Sequence, residues 1–205
     1  MSAASKRQLE EIGQVKRAVR ERVWALLERE RAARFPGTEG RIPNFAGAPT
    51  AAARLASLPA WRAACVVKAN PDAPQLPVRA RALANGKLLY MAVPRLADER
   101  PFILLDPGRL EVPPRRAASI SGSTRTGRRV GVAELQPVDL VVCGSVAVNR
   151  QGARVGKGGG FSDLELALLV EAGLIGPDTV VATTVHPCRC WRRRCPRPAM
   201  TSAST

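Results

Sequence analysis

The stretch DLVVCGSVAVNRQGARVGKGGGFSDLELALL, Asp139 to Leu169, decides how the rest of the chain is read. Leu140 to Cys143 is a short apolar run of strand length, and Val146 to Val148 is a second extended piece. Gln151-Gly152 marks a turn, and the loop Gly156-Lys157-Gly158-Gly159-Gly160 follows it. A helical pattern opens near Ser162-Asp163. A strand that feeds a glycine loop that feeds a helix offers backbone N–H groups and a helix N-terminus to an anion. Lys157 adds a mobile positive charge, so the stretch predicts a phosphate or nucleotide site. The common fingerprints are absent: Gly156-Lys157 is followed by Gly158 instead of Ser or Thr, and Phe161 stands where a dinucleotide motif needs glycine. The chain has a single histidine, which disfavours a Ser-His-acid hydrolase.

Upstream, residues 5 to 34 read as one long helix, with Ile12, Val15, Val19, Val23, Leu26 and Leu27 as its apolar stripe. Lys16 and Arg20 are four apart and project from one side, either across a nucleotide's phosphates or into solvent as a charged face. Arg41 to Phe45 reads as an ordered loop, residues 50 to 58 as a helix capped by Thr50, and Pro59 as its stop. Strands are expected at 63–68, 87–93, 102–105 and 179–185, with a helix over 77–84. Residues 106 to 129, rich in Pro, Arg, Ser, Gly and Thr, predict a long loop or flap. Strands alternating with helices predict an α/β fold with a mostly parallel sheet, and ligands there bind beyond the carboxyl ends of the strands.

With 205 residues and 45% hydrophobic content the chain suits one α/β domain. No apolar run approaches membrane-spanning length and the N-terminus lacks a secretory pattern, so a cytoplasmic, membrane-free protein is expected. The net charge of +15 would attract polyanions, yet the charges are dispersed, so nucleic acid ranks below a small anionic ligand. His186, Cys188, Cys190 and Cys195 could ligate zinc, although their spacing fits no common finger or ribbon.

Taken together, Gly131-Val-Ala-Glu134, Asp139 to Val142, Val146 to Val148 and Arg154-x-Gly156-x-Gly158-Gly-Gly160-Phe-x-Asp163 resemble the 5-formyltetrahydrofolate cyclo-ligase (methenyltetrahydrofolate synthetase) family. Lys16-x-x-x-Arg20 before Val23-Trp24 resembles its opening helix. Arg41 to Phe45, Pro94 to Leu96 and the glycine loop are similar to its branch of methenyltetrahydrofolate synthase domain-containing proteins. The resemblance implies a NagB/RpiA/CoA-transferase-like three-layer α/β sandwich, ATP and Mg²⁺ as cosubstrates, and 5-formyltetrahydrofolate as substrate. In such a reaction ATP phosphorylates the formyl oxygen, N10 attacks the activated carbon, and phosphate leaves to give 5,10-methenyltetrahydrofolate.

By the same resemblance, Lys16, Arg20, Arg154, Gly156, Lys157, Gly158, Gly159, Gly160 and Phe161 are expected to bind ATP, and Asp163 to hold Mg²⁺. Glu134, near the folate, and Lys157 are the expected catalytic residues. The chain departs from the family's Y-Y-D-R ending at Ser162 and Leu164, the latter standing in place of an arginine. That leaves open a second reading, a relative that binds nucleotide or RNA without turnover. The domain is expected over residues 5–186. The Arg/Cys/Pro-rich residues 187–205 are expected to be a disordered or non-native tail, the text that a reading-frame change would produce.

Overall fold

The computed structural model describes residues 3–92 and 99–191. The chain opens with helix α1 (Ala3–Arg29), strands β1 (Ala33–Arg34) and β2 (Asn44–Phe45), and helices α2 (Ala48–Ala56) and α3 (Pro59–Ala63). Next come β3 (Val66–Ala69), α4 (Leu76–Ala84), β4 (Leu88–Ala92), β5 (Phe102–Leu105), α5 (Pro114–Ala117), α6 (Ile120–Thr126) and β6 (Arg128–Val130). The decisive stretch supplies β7 (Leu140–Val142), β8 (Ala147–Val148), β9 (Arg154–Val155) and α7 (Phe161–Glu171), and β10 (Val180–Ala182) follows.

Six strands form the central sheet in the order β10-β7-β3-β4-β5-β6. The neighbours from β10 to β4 run parallel, whereas β4–β5 and β5–β6 are antiparallel. Successive strand side chains face opposite sides of a sheet, and the two faces here carry separate cores. Val67, Ala69, Leu89, Met91, Leu140 and Val142 pack under α2, α3, α4 and α5. Val66, Tyr90, Ala92, Val141 and Cys143 pack on the other side with Leu169 of α7. Being covered on both faces, these strands are near-continuous apolar runs, as parallel strands usually are. The expected three-layer α/β sandwich with a mostly parallel sheet is therefore the observed one.

A third apolar cluster docks α1 on the body through Val19, Val23 and Leu27 against Ile42, Val146, Ala147 and Val155. Val15, expected on the buried stripe, is exposed, while Ile12 and Lys16 beside it are partly buried. Helix α2 begins at Ala48 behind Gly47 in the left-handed conformation (φ 87°), so Thr50 is not its cap. Pro59, expected only to stop a helix, occupies the first turn of α3, where its missing N–H costs nothing.

Residues 106–129 are also corrected. They form a 3₁₀ turn at Pro107–Arg109, then α5 and α6, and run into β6. Ala117 and Ala118 are fully buried and the Arg79 Nε donates to the Ala118 carbonyl at 2.9 Å. Small residues held by a distant arginine leave almost no periodic signal, which is why composition pointed to a loop. The Pro94–Leu96 segment lies outside the described residues.

Candidate functional site

In a parallel sheet whose strand order reverses, the loops leaving adjacent strands diverge and open a crevice beyond their carboxyl ends. Here the reversal lies between β3 and β7: the chain proceeds from β3 to β4 on one side, while β7 and β10 lie on the other. A cavity of about 1270 Å³ occupies that point, bounded by Asn70 to Ala73 after β3, Gly144 after β7, and the glycine loop from Arg154 to Asp163. Lys16 and Arg20 of α1, Arg41 and Ile42, and Ser119 to Ser121 close its remaining sides. The volume exceeds the ~300–1,000 Å³ of a site for one drug-sized ligand.

The loop is shaped by two residues that only glycine fills easily. Gly158 has φ 115° and Gly160, immediately before α7, has φ 68°. These reversals bring the main chain to the cavity edge and turn the start of α7 toward it. Arg20 reaches beneath the loop: its Nε donates to the Gly156 carbonyl at 2.7 Å, and a Cβ on Gly158 would stand 3.5 Å from its guanidinium carbon. Partial burial, then the neighbouring Arg17, holds the Arg20 pKa below its ordinary value. Arg20 therefore both supports the loop and brings positive charge to it. Lys16, one turn earlier and half-buried, lines the same cavity.

Arg154 donates to the Gly144 carbonyl at 3.5 Å and pairs with Asp163, which is largely exposed in the first turn of α7. Lys157 lies 3.9 Å from Asp72 across the cavity. Burial pushes the Asp72 carboxyl above its ordinary pKa, with Lys157 and then Arg79 opposing the shift. No cluster of three or more His, Cys, Asp or Glu side chains suited to a metal exists among the described residues. Mg²⁺ at nucleotide sites is usually held by one or two carboxylates together with phosphates and water. Asp163 at the loop's end, with Asp72 elsewhere on the wall, fits that sparse protein share.

Several residues that the sequence did not single out line the walls or stand behind them. Lys68, on β3, is fully buried and pairs with Glu165 of α7. Its Nζ also donates to the Asn70 Oδ1 at 3.2 Å, and the Asn70 Nδ2 donates to the Ser162 Oγ at 2.7 Å. Arg79 on α4 donates to the carbonyls of Asn70 (2.5 Å) and Asp72 (3.0 Å), fixing the loop after β3. Burial holds the Arg79 guanidinium down at about 10. A lysine within an apolar strand and an arginine on the buried side of a helix were the available signals.

Two expectations are displaced. Glu134 is not in the cavity: it ends a 3₁₀ turn after β6, where its Oε1 accepts from the Gly131 N–H at 3.0 Å and its Oε2 pairs with Arg128 at 2.5 Å. The Gly131 bond, then Arg128, holds its carboxyl below the ordinary value. Its local role in closing a turn decides its position. Residues 187–191, expected to belong to a tail, pack on the domain. Arg189 is fully buried and donates to the carbonyls of Val146, Pro43 and Ser145, and the Trp191 N–H donates to the Val148 carbonyl at 2.5 Å. Residues 192–205 lie outside the described residues, and with them Cys195 of the candidate zinc cluster. His186 accepts from the Cys188 N–H at 3.3 Å and stacks edge-on against Phe45.

Known proteins resemble this chain in sequence and in fold. The model of the 5-formyltetrahydrofolate cyclo-ligase family matches residues 12–196. Methenyltetrahydrofolate synthase domain-containing protein from Mus musculus is 41% identical over 179 residues, covering 86% of this chain and 48% of its own length. The protein of the same name from Homo sapiens is 36% identical over 180 residues, 87% of this chain and 47% of the relative. The chain thus spans about half the length of these relatives. The NMR structure of Aquifex aeolicus 5,10-methenyltetrahydrofolate synthetase superposes with a TM-score of 0.53 at 19% identity, covering 92% of this chain and 84% of that one. At that identity the likeness establishes the shared fold.

Proposed function

Because this chain belongs to the 5-formyltetrahydrofolate cyclo-ligase family, we propose that it uses ATP and Mg²⁺ to convert 5-formyltetrahydrofolate into 5,10-methenyltetrahydrofolate. The observation that carries the proposal is the cavity itself. It joins a glycine loop, two cations from α1 and the ends of β3 and β7 in a space large enough for two substrates side by side. A cytoplasmic location is part of the same reading.

Transfer of the γ-phosphoryl group to the formyl oxygen needs charge neutralisation and alignment more than a protein nucleophile. Lys16, Arg20 and Lys157, with the amides of Gly156 to Gly160, supply the positive surface on which the phosphates would lie. Phe161, half-exposed at the loop's end, borders the same space. Asp163 would hold Mg²⁺, which would supply further neutralisation of the phosphate charge, and Arg154 orients that carboxylate. Once the formyl oxygen is phosphorylated, N10 attacks the formyl carbon, N10 loses its proton, and the C–O bond breaks as phosphate leaves. Asp72 is a cavity carboxylate with raised proton affinity, and it is the residue we assign to receive that proton. General-base assistance of this kind contributes roughly 10²–10⁴-fold.

The test is direct: protein, 5-formyltetrahydrofolate, ATP and Mg²⁺ should generate the absorbance of the methenyl product, and Asp163→Ala should abolish it. Leu164 gives the second reading a specific basis. It is exposed, 56%, at the position of the family's arginine, and so offers the phosphates no charge. A protein that binds ATP but forms no methenyl product would be the nucleotide- or RNA-binding relative.

A further inference from the structure

The face of the sheet beneath α7 is apolar except at Lys68. Val66, Tyr90, Val141 and Cys143 surround the strand positions there, and the lysine side chain is fully buried among them. Its partner Glu165 is 4% exposed. A buried ion pair is a poor source of net stability, because two charges lose their hydration to make it, and apolar residues of similar volume often serve as well or better. What such a pair supplies instead is direction. Apolar contacts hold a helix on a sheet while tolerating a slide along it; a charged hydrogen bond between a strand and a helix does not.

The pair is also the first link of a continuous chain. Lys68 donates to Asn70, and Asn70 donates to Ser162 at 2.7 Å, so β3 is tied to the opening turn of α7 twice, at Ser162 and at Glu165. Asn70 is itself fixed to the frame: its N–H donates to the Val142 carbonyl of β7 at 3.1 Å and its carbonyl accepts from Arg79. The loop has little stiffness of its own, since Gly158, Gly159 and Gly160 are exposed and carry no side chain. Its position comes from Arg20, which holds the Gly156 carbonyl, and from its two ends, Arg154 and Val155 on β9 and Ser162 to Glu165 on α7.

We propose that the buried Lys68–Glu165 pair, acting through Asn70 and Ser162, is a positioning device that fixes the glycine loop at the cavity edge. Lys68 touches no ligand in this scheme, because it does not line the cavity. The consequence for nucleotide affinity rests on the reading of the loop as a phosphate site; the consequence for loop order does not.

The experiment replaces both charges at once, Lys68→Met with Glu165→Met, in the full chain. Three quantities are followed: thermal stability, amide hydrogen exchange over residues 156–162, and the Kd for adenylyl-imidodiphosphate with Mg²⁺. The expected result is a separation. The double variant melts no lower than wild type, exchanges its loop amides about tenfold faster, and binds the analogue about tenfold or more weakly, as small misplacements of a site commonly cause. A folded double variant with wild-type exchange across the loop overturns the proposal, since a merely structural pair would leave the loop unmoved once stability is restored. Should the double variant fail to fold, Ser162→Ala replaces it, cutting only the Asn70 link. Faster loop exchange is again expected, and unchanged exchange again overturns the inference. If wild type itself binds no nucleotide, the cyclo-ligase reading falls, while loop exchange still decides the positioning role.

Discussion

Replacing Gly158 with alanine separates backbone geometry from side-chain crowding in the glycine loop. At φ 115° an L-residue is strained, yet the nearest atom to a new Cβ, the guanidinium carbon of Arg20, lies 3.5 Å away, an ordinary contact. The cost is therefore conformational, of order 1–3 kcal/mol for a residue held in a sparsely populated backbone region. Because the loop is exposed and locally compliant, Gly158→Ala is expected to relax into another loop conformation and leave global unfolding nearly unchanged. Recovering the competent conformation then costs the same free energy on binding, a loss of nucleotide affinity of about 5- to 150-fold. Titration calorimetry with adenylyl-imidodiphosphate and Mg²⁺ measures the loss, and differential scanning calorimetry checks that the melting temperature has held. Gly176→Ala is the control: it has no atom within 4 Å of a new Cβ and no positive φ. Equal affinity in Gly158→Ala and wild type would refute the claim that this loop conformation is the one the phosphates meet.

Three other outcomes follow from the same structure. Burial raises the Asp72 pKa, so its stabilising contribution is present below the ordinary value of 3.8 and is lost as pH rises through the folded-state pKa; Asp72→Asn should melt higher than wild type at neutral pH, lose the advantage below about pH 4, and turn over ~10²–10⁴-fold more slowly. Glu134 has the opposite sign, its depressed pKa stabilising the fold above the ordinary 4.5 and ceasing to do so in acid. Glu134→Gln should therefore keep wild-type turnover, melt lower at neutral pH, and converge with wild type in acid melts. Gly13 is exposed inside α1 with open space around a new Cβ; Gly13→Ala should stabilise by ~0.5–1 kcal/mol, read as a rise of about 1–4 °C in melting temperature with activity unchanged.

Much of the site was legible because its chemistry is local. Gly156 to Gly160 is a backbone device, and backbone devices are written as contiguous glycines. Lys16 and Arg20 declared themselves through helical spacing. Glu134 lies apart from the cavity because a motif says only which residues stand close in sequence, and Glu134 closes its turn on Gly131 and Arg128. Residues 106–129 hid their helices because two buried alanines and a capping Ser119 carry no periodicity.

The sequence by itself determined the alternation of strands and helices, the apolar runs of β3, β4 and β7, and the presence of a glycine loop between a strand and a helix. Each of these is an arrangement of neighbouring residues acting through short-range backbone and solvation preferences. Only the tertiary structure decided that β3 and β7 lie side by side, and hence where the crevice opens and which side chains meet in it. Lys68 and Glu165 are 97 positions apart, and Arg20 and Gly156 are 136 apart. No local pattern records such pairs, because what brings them together is closure of the sheet around its core.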